Sequence, residues 1–419
     1  MCCKLYLQTF ERPPAAAQFP DSGWRDAKNN SLTALIATCF CPMLRQLDLE
    51  RFWAENDQAL REPFSAAISQ FPMGIMMGYE AIFSELGYPF NLRRLEQDWE
   101  FAGSAARAYN DKAEKTVGRR LLDETAFDPS RRFPKVRSLD ELFGCRNIWE
   151  SESWWALQAA DSPAQLEKLL DHVESLHVES EMFPENWERE CRRLFEEHGL
   201  RPFIKLDLRG PITLATSIFG VENLVYLMVD APALAWRFRD VIKNVALQYY
   251  GVCRRVSDPQ RMTAGFSFRD DNCQMLTPGM YAQFGLPILQ AIFAEFAPAP
   301  NDRRYQHSDS DMGHLLETLA HANLNVVNFG PKVRFSSIRR QMPSAVVHGT
   351  LAPFTFMRNE EDQIIAEVRR DMDEARSTRG LVIDTAGSVN DGSLLSSMRT
   401  VMWAIQTYGQ LASTGISDG

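Results

Sequence analysis

The rhythm of apolar and polar positions changes near residue 160. Upstream it is irregular. Pro13-Pro14-Ala15-Ala16-Ala17 reads as a loose arm. Residues 45–70 are helix-rich, and Phe71–Gly78 is an apolar, glycine-punctuated run that suits a buried strand and its turn. A short helix over Tyr79–Leu86 is stopped by Gly87 and Pro89. Lys112–Asp123 has helical propensity, whereas Asp128–Lys135, with Arg131, Arg132 and Pro134, reads as a solvated loop.

From Asp161 the pattern sharpens. Ser162-Pro163 opens a helix in which Leu166, Leu169, Leu170, Val173 and Leu176 recur at helical spacing. A second helix over Pro184–His198 ends at Gly199. Phe203–Leu208 then alternates as a strand and stops at Arg209-Gly210-Pro211. A Leu- and Val-rich helix runs on through Tyr226. The same unit recurs. Strands over Met262–Phe268, Arg303–Gln306, Leu324–Phe329, Ser344–Val347 and Gly380–Ile383 each end in a polar or glycine-rich tip. Between and after them come helices, among them Met280–Phe296, a helix that Asn359 caps, and Leu394–Tyr408. Alternating strands and helices imply a parallel sheet with helices outside it.

Six such units predict an α/β fold, a (β/α)8 TIM barrel with an N-terminal helical extension. The two missing strands are expected within residues 1–200, one of them near Phe71–Gly78. Residues 1–160 are expected to form the helix-rich extension, including the first barrel elements, and 161–419 the barrel core. The extension completes the barrel, covers its mouth or mediates dimerisation. A doubly wound open sheet is the alternative, but no GxGxxG or P-loop motif follows any strand.

Composition adds limits. With 45% hydrophobic and 24% charged residues, a chain of 419 residues can bury a large core. Its net charge of −10, with basic residues dispersed, argues against a nucleic-acid partner. No apolar run reaches the ~18 residues of a membrane span. No basic segment precedes a long apolar core near Met1, so a cytoplasmic protein is expected. Eight cysteines contain no CxxC pair, which suits idle thiols in a reducing compartment.

In a barrel of this kind the carboxyl ends of the strands form the active-site mouth. The tips supply Arg209; Asp270 and Asp271; His307, Asp309 and Asp311; Lys332; His348; and Asp384, Ser388 and Asn390. So many ionisable groups on separate strands are costly to bury for stability alone. His307 and Asp309 alternate on an extended tip and share a face, so both reach one ion. Imidazole with carboxylate suits Zn²⁺ or another divalent metal, with His348 or Asp384 as a third ligand. A metal-free alternative makes His307 a general acid. Arg209 and Lys332 are placed to hold a substrate carboxylate, and His348 and Asn390 to bind substrate.

The order of these motifs resembles the uroporphyrinogen decarboxylase superfamily, which includes corrinoid- and coenzyme-M-linked methyltransferases. The resemblance rests on Leu208-Arg209-Gly210-Pro211, on Asp270-Asp271 with Leu276-Thr277-Pro278-Gly279-Met280-Tyr281, on His307-Ser308-Asp309-Ser310-Asp311, on His348-Gly349-Thr350-Leu351-Ala352-Pro353 and on Gly387-Ser388-Val389-Asn390. It covers about half of the chain and implies a (β/α)8 barrel. The arginine-rich Met-Arg-Gln-Ala-Gly-Arg type of motif that grips tetrapyrrole carboxylates is absent. Asp309 stands where zinc methyltransferases carry a cysteine, and Ala386-Gly387-Ser388 lacks their later one. The resemblance implies methyl transfer from a small methylated substrate to a corrinoid, carried by a partner protein, or to a related acceptor. His307 and Asp309 would hold a metal or polarise the leaving heteroatom, and Asp270 and Asp271 would orient the substrate. Decarboxylation of a carboxylic acid or tetrapyrrole, and a non-catalytic barrel that binds a corrinoid or tetrapyrrole, are the alternatives. A small-molecule substrate and a homodimer are the remaining partner expectations.

Overall fold

The computed structural model describes residues 45–150 and 153–410. The arm at residues 13–17 and Cys2, Cys3, Cys39 and Cys41 lie outside the described residues. From Leu47 onward the chain forms one compact unit. No single helix among the described residues is long and apolar enough to cross a membrane.

Two strands, β1 (Arg146–Glu150) and β2 (Ser153–Leu157), form an antiparallel hairpin. Six more follow: β3 (Asp207–Arg209), β4 (Gly265–Arg269), β5 (Arg303–Ser308), β6 (Val326–Phe329), β7 (Val346–Leu351) and β8 (Leu381–Thr385). They pair in parallel and in sequential order, as in a (β/α)8 barrel. The expected early strand is present as a pairing segment: Met73 bridges Ile383 in parallel, Ile383 N–H donates to Pro72 O at 2.7 Å, and Gly74 N–H donates to Ile383 O at 2.9 Å. Pro72–Gly74 therefore extends the sheet beyond β8. Among the described residues no ladder joins that segment to β3, so the strand pairing traces an arc of the barrel.

The pleat sorts side chains to two faces. Phe266, Phe268, Val327, Phe329 and Val347 are buried against the surrounding helices. Phe268 meets Phe293 edge-on at 5.3 Å, and Phe266 meets Tyr250 at 4.7 Å. Phe293 belongs to the helix Pro278–Phe296, which starts cleanly because Pro278 sits in its first turn and Thr277 accepts a hydrogen bond from Met280 N–H. Burial of this apolar layer is what holds the sheet and helices together.

Some elements depart from the sequence reading. The strand expected at Phe203–Leu208 is ladder-paired only over Asp207–Arg209. The hairpin arises within a stretch that carried no clear period. The longest helix, Pro232–Val256, interleaves arginine and lysine with its buried stripe. Asn359 is not the cap of the following helix. It has φ +58° and its amide binds the carbonyls of Met357 and Gly392, while the helix begins at Glu361.

Candidate active site

The register places one residue from each of the six parallel strands in a single cross-strand row: Arg209, Arg269, His307, Asn328, His348 and Val382, all but the last polar or charged. His307 is the chemical centre of that row. It is buried to 8% exposure, and its Nδ1 lies 2.7 Å from Asn328 Oδ1. The Asn328 amide nitrogen donates to His348 O at 3.0 Å and to Thr385 O at 2.9 Å. Two carbonyl acceptors fix the amide's orientation, so Oδ1 is the atom that faces the imidazole. Asn328 Oδ1 therefore accepts from the Nδ1–H of His307, and in the protonated ring Nε2–H donates to Asp309 Oδ1 at 2.9 Å. Burial works against a charged imidazole here. The hydrogen bond and charge of Asp309, with Asp271 and Asn328, outweigh it and raise the His307 pKa above its ordinary value.

Asp271 is tied to the same tip. Its Oδ1 accepts the Asp309 backbone N–H at 2.8 Å, which couples the end of β4 to the end of β5. Burial and the charge of Asp309 raise its pKa, against the pull of His307 and Arg209. One ligand atom from each of Asp271, His307 and Asp309 lies within 4.8 Å of the others. Two carboxylates and an imidazole are a hard, oxygen-rich donor set of the kind that divalent cations occupy. The tip has no room for bulk. Gly387, at φ +133°, would place a Cβ 2.6 Å from Asp309 Oδ1. The nearby thiol, Cys273, is fully buried, its Sγ 3.8 Å from Ser308 Oγ.

Asp270 occupies a different place from its neighbour. It is fully buried beneath Gly210, where an added Cβ would come within 2.1 Å of the Asp270 Cβ. Its Oδ1 accepts from the backbone N–H groups of Ile212 (3.1 Å) and Thr213 (2.8 Å), and its Oδ2 from Tyr281 Oη at 3.3 Å. It thus satisfies the free N–H groups that open the helix Pro211–Phe219. Burial pushes its pKa up to about 7, against the lowering effect of Thr213.

The other tip residues separate into groups. His348 Nδ1 lies 3.1 Å from Asp384 Oδ2, so Asp384 pairs with His348 and stands outside the three-residue cluster. Gly74 keeps this pair uncrowded, since a Cβ there would sit 3.0 Å from Asp384 Oδ2 and 3.3 Å from His348 Nδ1. Arg209 donates from Nη1 to Ser217 Oγ at 3.1 Å. Lys332 lies 3.5 Å from Asp311, with both side chains largely in solvent. Asn390 donates to Ser388 O at 3.2 Å within its own loop. Asn328 was not among the residues singled out from sequence. Its signal is a polar residue inside the apolar run Val326-Val327-Asn328-Phe329.

Residues 199–408 match the family model described as Uroporphyrinogen decarboxylase (URO-D). No protein of curated function matches the chain. Among solved structures, a methyltransferase from Methanosarcina mazei is similar, with a TM-score of 0.55 and 15% sequence identity over 87% of this chain and 99% of that one. At that identity the likeness concerns the fold.

Proposed function

The chain belongs to the uroporphyrinogen decarboxylase (URO-D) family, and from that premise we propose that it transfers a methyl group from a small methylated substrate to a corrinoid carried by a partner protein. The supporting observation is the donor set at the tips: Asp271, His307 and Asp309 converge, and among the described residues no accessible thiol accompanies them. A thiolate-rich site suits activation of a thiol acceptor, whereas hard donors suit a cation that acts on an oxygen or nitrogen. A divalent cation held by these three residues would draw electron density from the heteroatom that bears the methyl group. The chain's own residues supply the rest. Asn328 holds the His307 ring in one tautomer, Asp271 fixes the backbone of Asp309, and Asp270 anchors the helix beside them. In the reaction the acceptor's electron pair forms the new bond to carbon. The heteroatom leaves with the old bonding pair and takes a proton from water.

A second reading, decarboxylation, is favoured by the raised pKa of His307, because a protonated imidazole can deliver a proton to a carbanion left by CO₂. One experiment separates the two. The purified protein is mixed with cob(I)alamin and a panel of O- and N-methylated compounds, and loss of the cob(I)alamin absorbance is followed beside CO₂ release from carboxylic acids. Methylation of the cobalt that disappears in His307→Ala and Asp309→Ala supports methyl transfer. CO₂ release with no cobalt methylation overturns it.

A further inference from the structure

The inner layers of a (β/α)8 barrel are ordinarily filled by branched apolar side chains. Here five of the six residues in the row at the carboxyl half of the sheet are polar or charged, Arg209, Arg269, His307, Asn328 and His348, and only Val382 on β8 is apolar. Three of its four basic side chains have a carboxylate partner. Arg269 pairs with Asp207, His307 with Asp309 and His348 with Asp384. Arg209 has a neutral one, the Ser217 hydroxyl, which engages a single N–H of the five that a guanidinium offers. No carboxylate lies within ion-pair distance of it among the described residues. In the β3–β4 register it lies opposite Arg269, two residues before Asp271. The arginine thus stands beside the three-residue cluster without being consumed by it.

We infer that Arg209 is the anchor for a carboxylate on the substrate, bound next to the Asp271–His307–Asp309 cluster. The inference deepens the site reading above but does not depend on methyl transfer. A methylated acid and an acid that loses CO₂ would both be held this way. The charge count favours an anion. With a divalent cation in place, the charges of Asp271 and Asp309 are matched by the ion, and Arg209 is left with one uncompensated positive charge in a partly buried position. A planar carboxylate fits the remaining N–H fork in a bidentate manner. Without the cation, Asp271 and Asp309 repel an anion, so cation and carboxylate binding reinforce each other. Lys332, the other cation expected to hold a carboxylate, sits on the rim against Asp311 at 75% side-chain exposure and is too well solvated to compete.

The test uses the full chain, freed of metal by chelation and then loaded with Zn²⁺. Acetate and its neutral isostere acetamide are the probes, and saturation-transfer NMR reads their binding. Acetate is expected to bind and acetamide to bind at least about tenfold more weakly, the loss that follows from removing a charge-assisted pair. Arg209→Gln should weaken acetate by a similar factor. Arg209→Lys, which retains the charge and stem but loses the fork, should fall between them. Acetate affinity should also drop when Zn²⁺ is withheld. Equal binding of acetate and acetamide would overturn the inference. So would Arg209→Gln and Arg209→Lys binding acetate as the wild type does, the outcome expected if acetate simply ligates the metal. If acetate binding follows Arg209 while the cob(I)alamin experiment fails, methyl transfer is wrong and the carboxylate site stands.

Discussion

Replacing Asn328 with leucine, close in size and without hydrogen-bonding atoms, tests the linchpin of the site. The substitution removes three contacts at once: the acceptor for His307 Nδ1–H and the donors to the carbonyls of His348 and Thr385. An orphaned buried polar group costs about 1–3 kcal/mol, so three of them amount to roughly 3–9 kcal/mol. Leucine returns about 1–2 kcal/mol through apolar burial. The net loss, roughly 1–8 kcal/mol, compares with the ~5–15 kcal/mol that typically separates folded from unfolded chains. Urea denaturation followed by circular dichroism reads the loss as a lower midpoint at unchanged slope. Nitrogen-15 NMR of labelled histidine reads the tautomer of His307. Asn328→Asp keeps an acceptor for His307 but turns a carboxylate oxygen onto two carbonyls, and should be less stable than the wild type as well. A leucine variant within about 1 kcal/mol of the wild type, with His307 still protonated at Nδ1, would refute the assigned amide orientation.

Four further outcomes are expected. Calorimetric titration with Zn²⁺ or Mn²⁺ should show one site that weakens roughly a hundredfold in Asp271→Ala, His307→Ala or Asp309→Ala, whereas Asp384→Ala leaves it near wild type. Metal affinity should rise with pH through the region around and above 6.5. The raised pKa of His307 means that a proton must leave Nε2 before a cation binds, and the same shift gives stability that is full below its unfolded value and lost as pH passes its folded value. Asp270→Ala should cost roughly 3–9 kcal/mol by stranding two backbone N–H groups and the Tyr281 hydroxyl, and Asp270→Asn much less, in thermal melts. Because the folded pKa of Asp270 is pushed up to about 7 from 3.8, the folded state binds the extra proton between those values, so the wild type should lose stability as pH rises from 4 to 7 and Asp270→Asn should flatten that slope. Gly387→Ala should displace Asp309, since its Cβ would sit 2.6 Å from Oδ1 at φ +133°, and metal titration should show the weakened site while far-ultraviolet circular dichroism stays close to wild type.

The strand tips were legible because period, length and turn residues act locally. Six strands with a polar residue after each are visible without any knowledge of which strand touches which. Partnership between tips is a tertiary matter. Asp270 and Asp271 are adjacent and chemically identical, yet one is fully buried under a helix start and the other reaches Asp309. Nothing in a two-residue Asp-Asp stretch distinguishes them. From sequence Asp384 is a candidate third ligand and Asp271 is not, and only the 3.1 Å contact with His348 Nδ1 shows Asp384 committed elsewhere. Asn328 escaped notice because a polar residue inside a strand is read as noise until its three partners are seen. The hairpin at β1 and β2 was unreadable for another reason: its alternation spans only five residues per strand and is thick with aromatic and charged side chains.

The pairing of Pro72–Gly74 with β8 also ties the site to the early part of the described chain. Arg379 reaches the carbonyls of Ser65 and Ile68 at 3.0 Å, across 314 and 311 residues of chain. Leu395 N–H reaches Glu85 at 2.8 Å across a similar span. Contacts of such separation close very large loops and belong to the slow part of folding. Asp384 and Gly387 lie just past this seam, against His348 and Asp309. The glycine that crowds Asp309 therefore depends for its place on contacts that join the two ends of the described chain. Whatever loosens that seam should loosen the tips, so ligand affinity there is a remote reporter of how firmly the ends are held together.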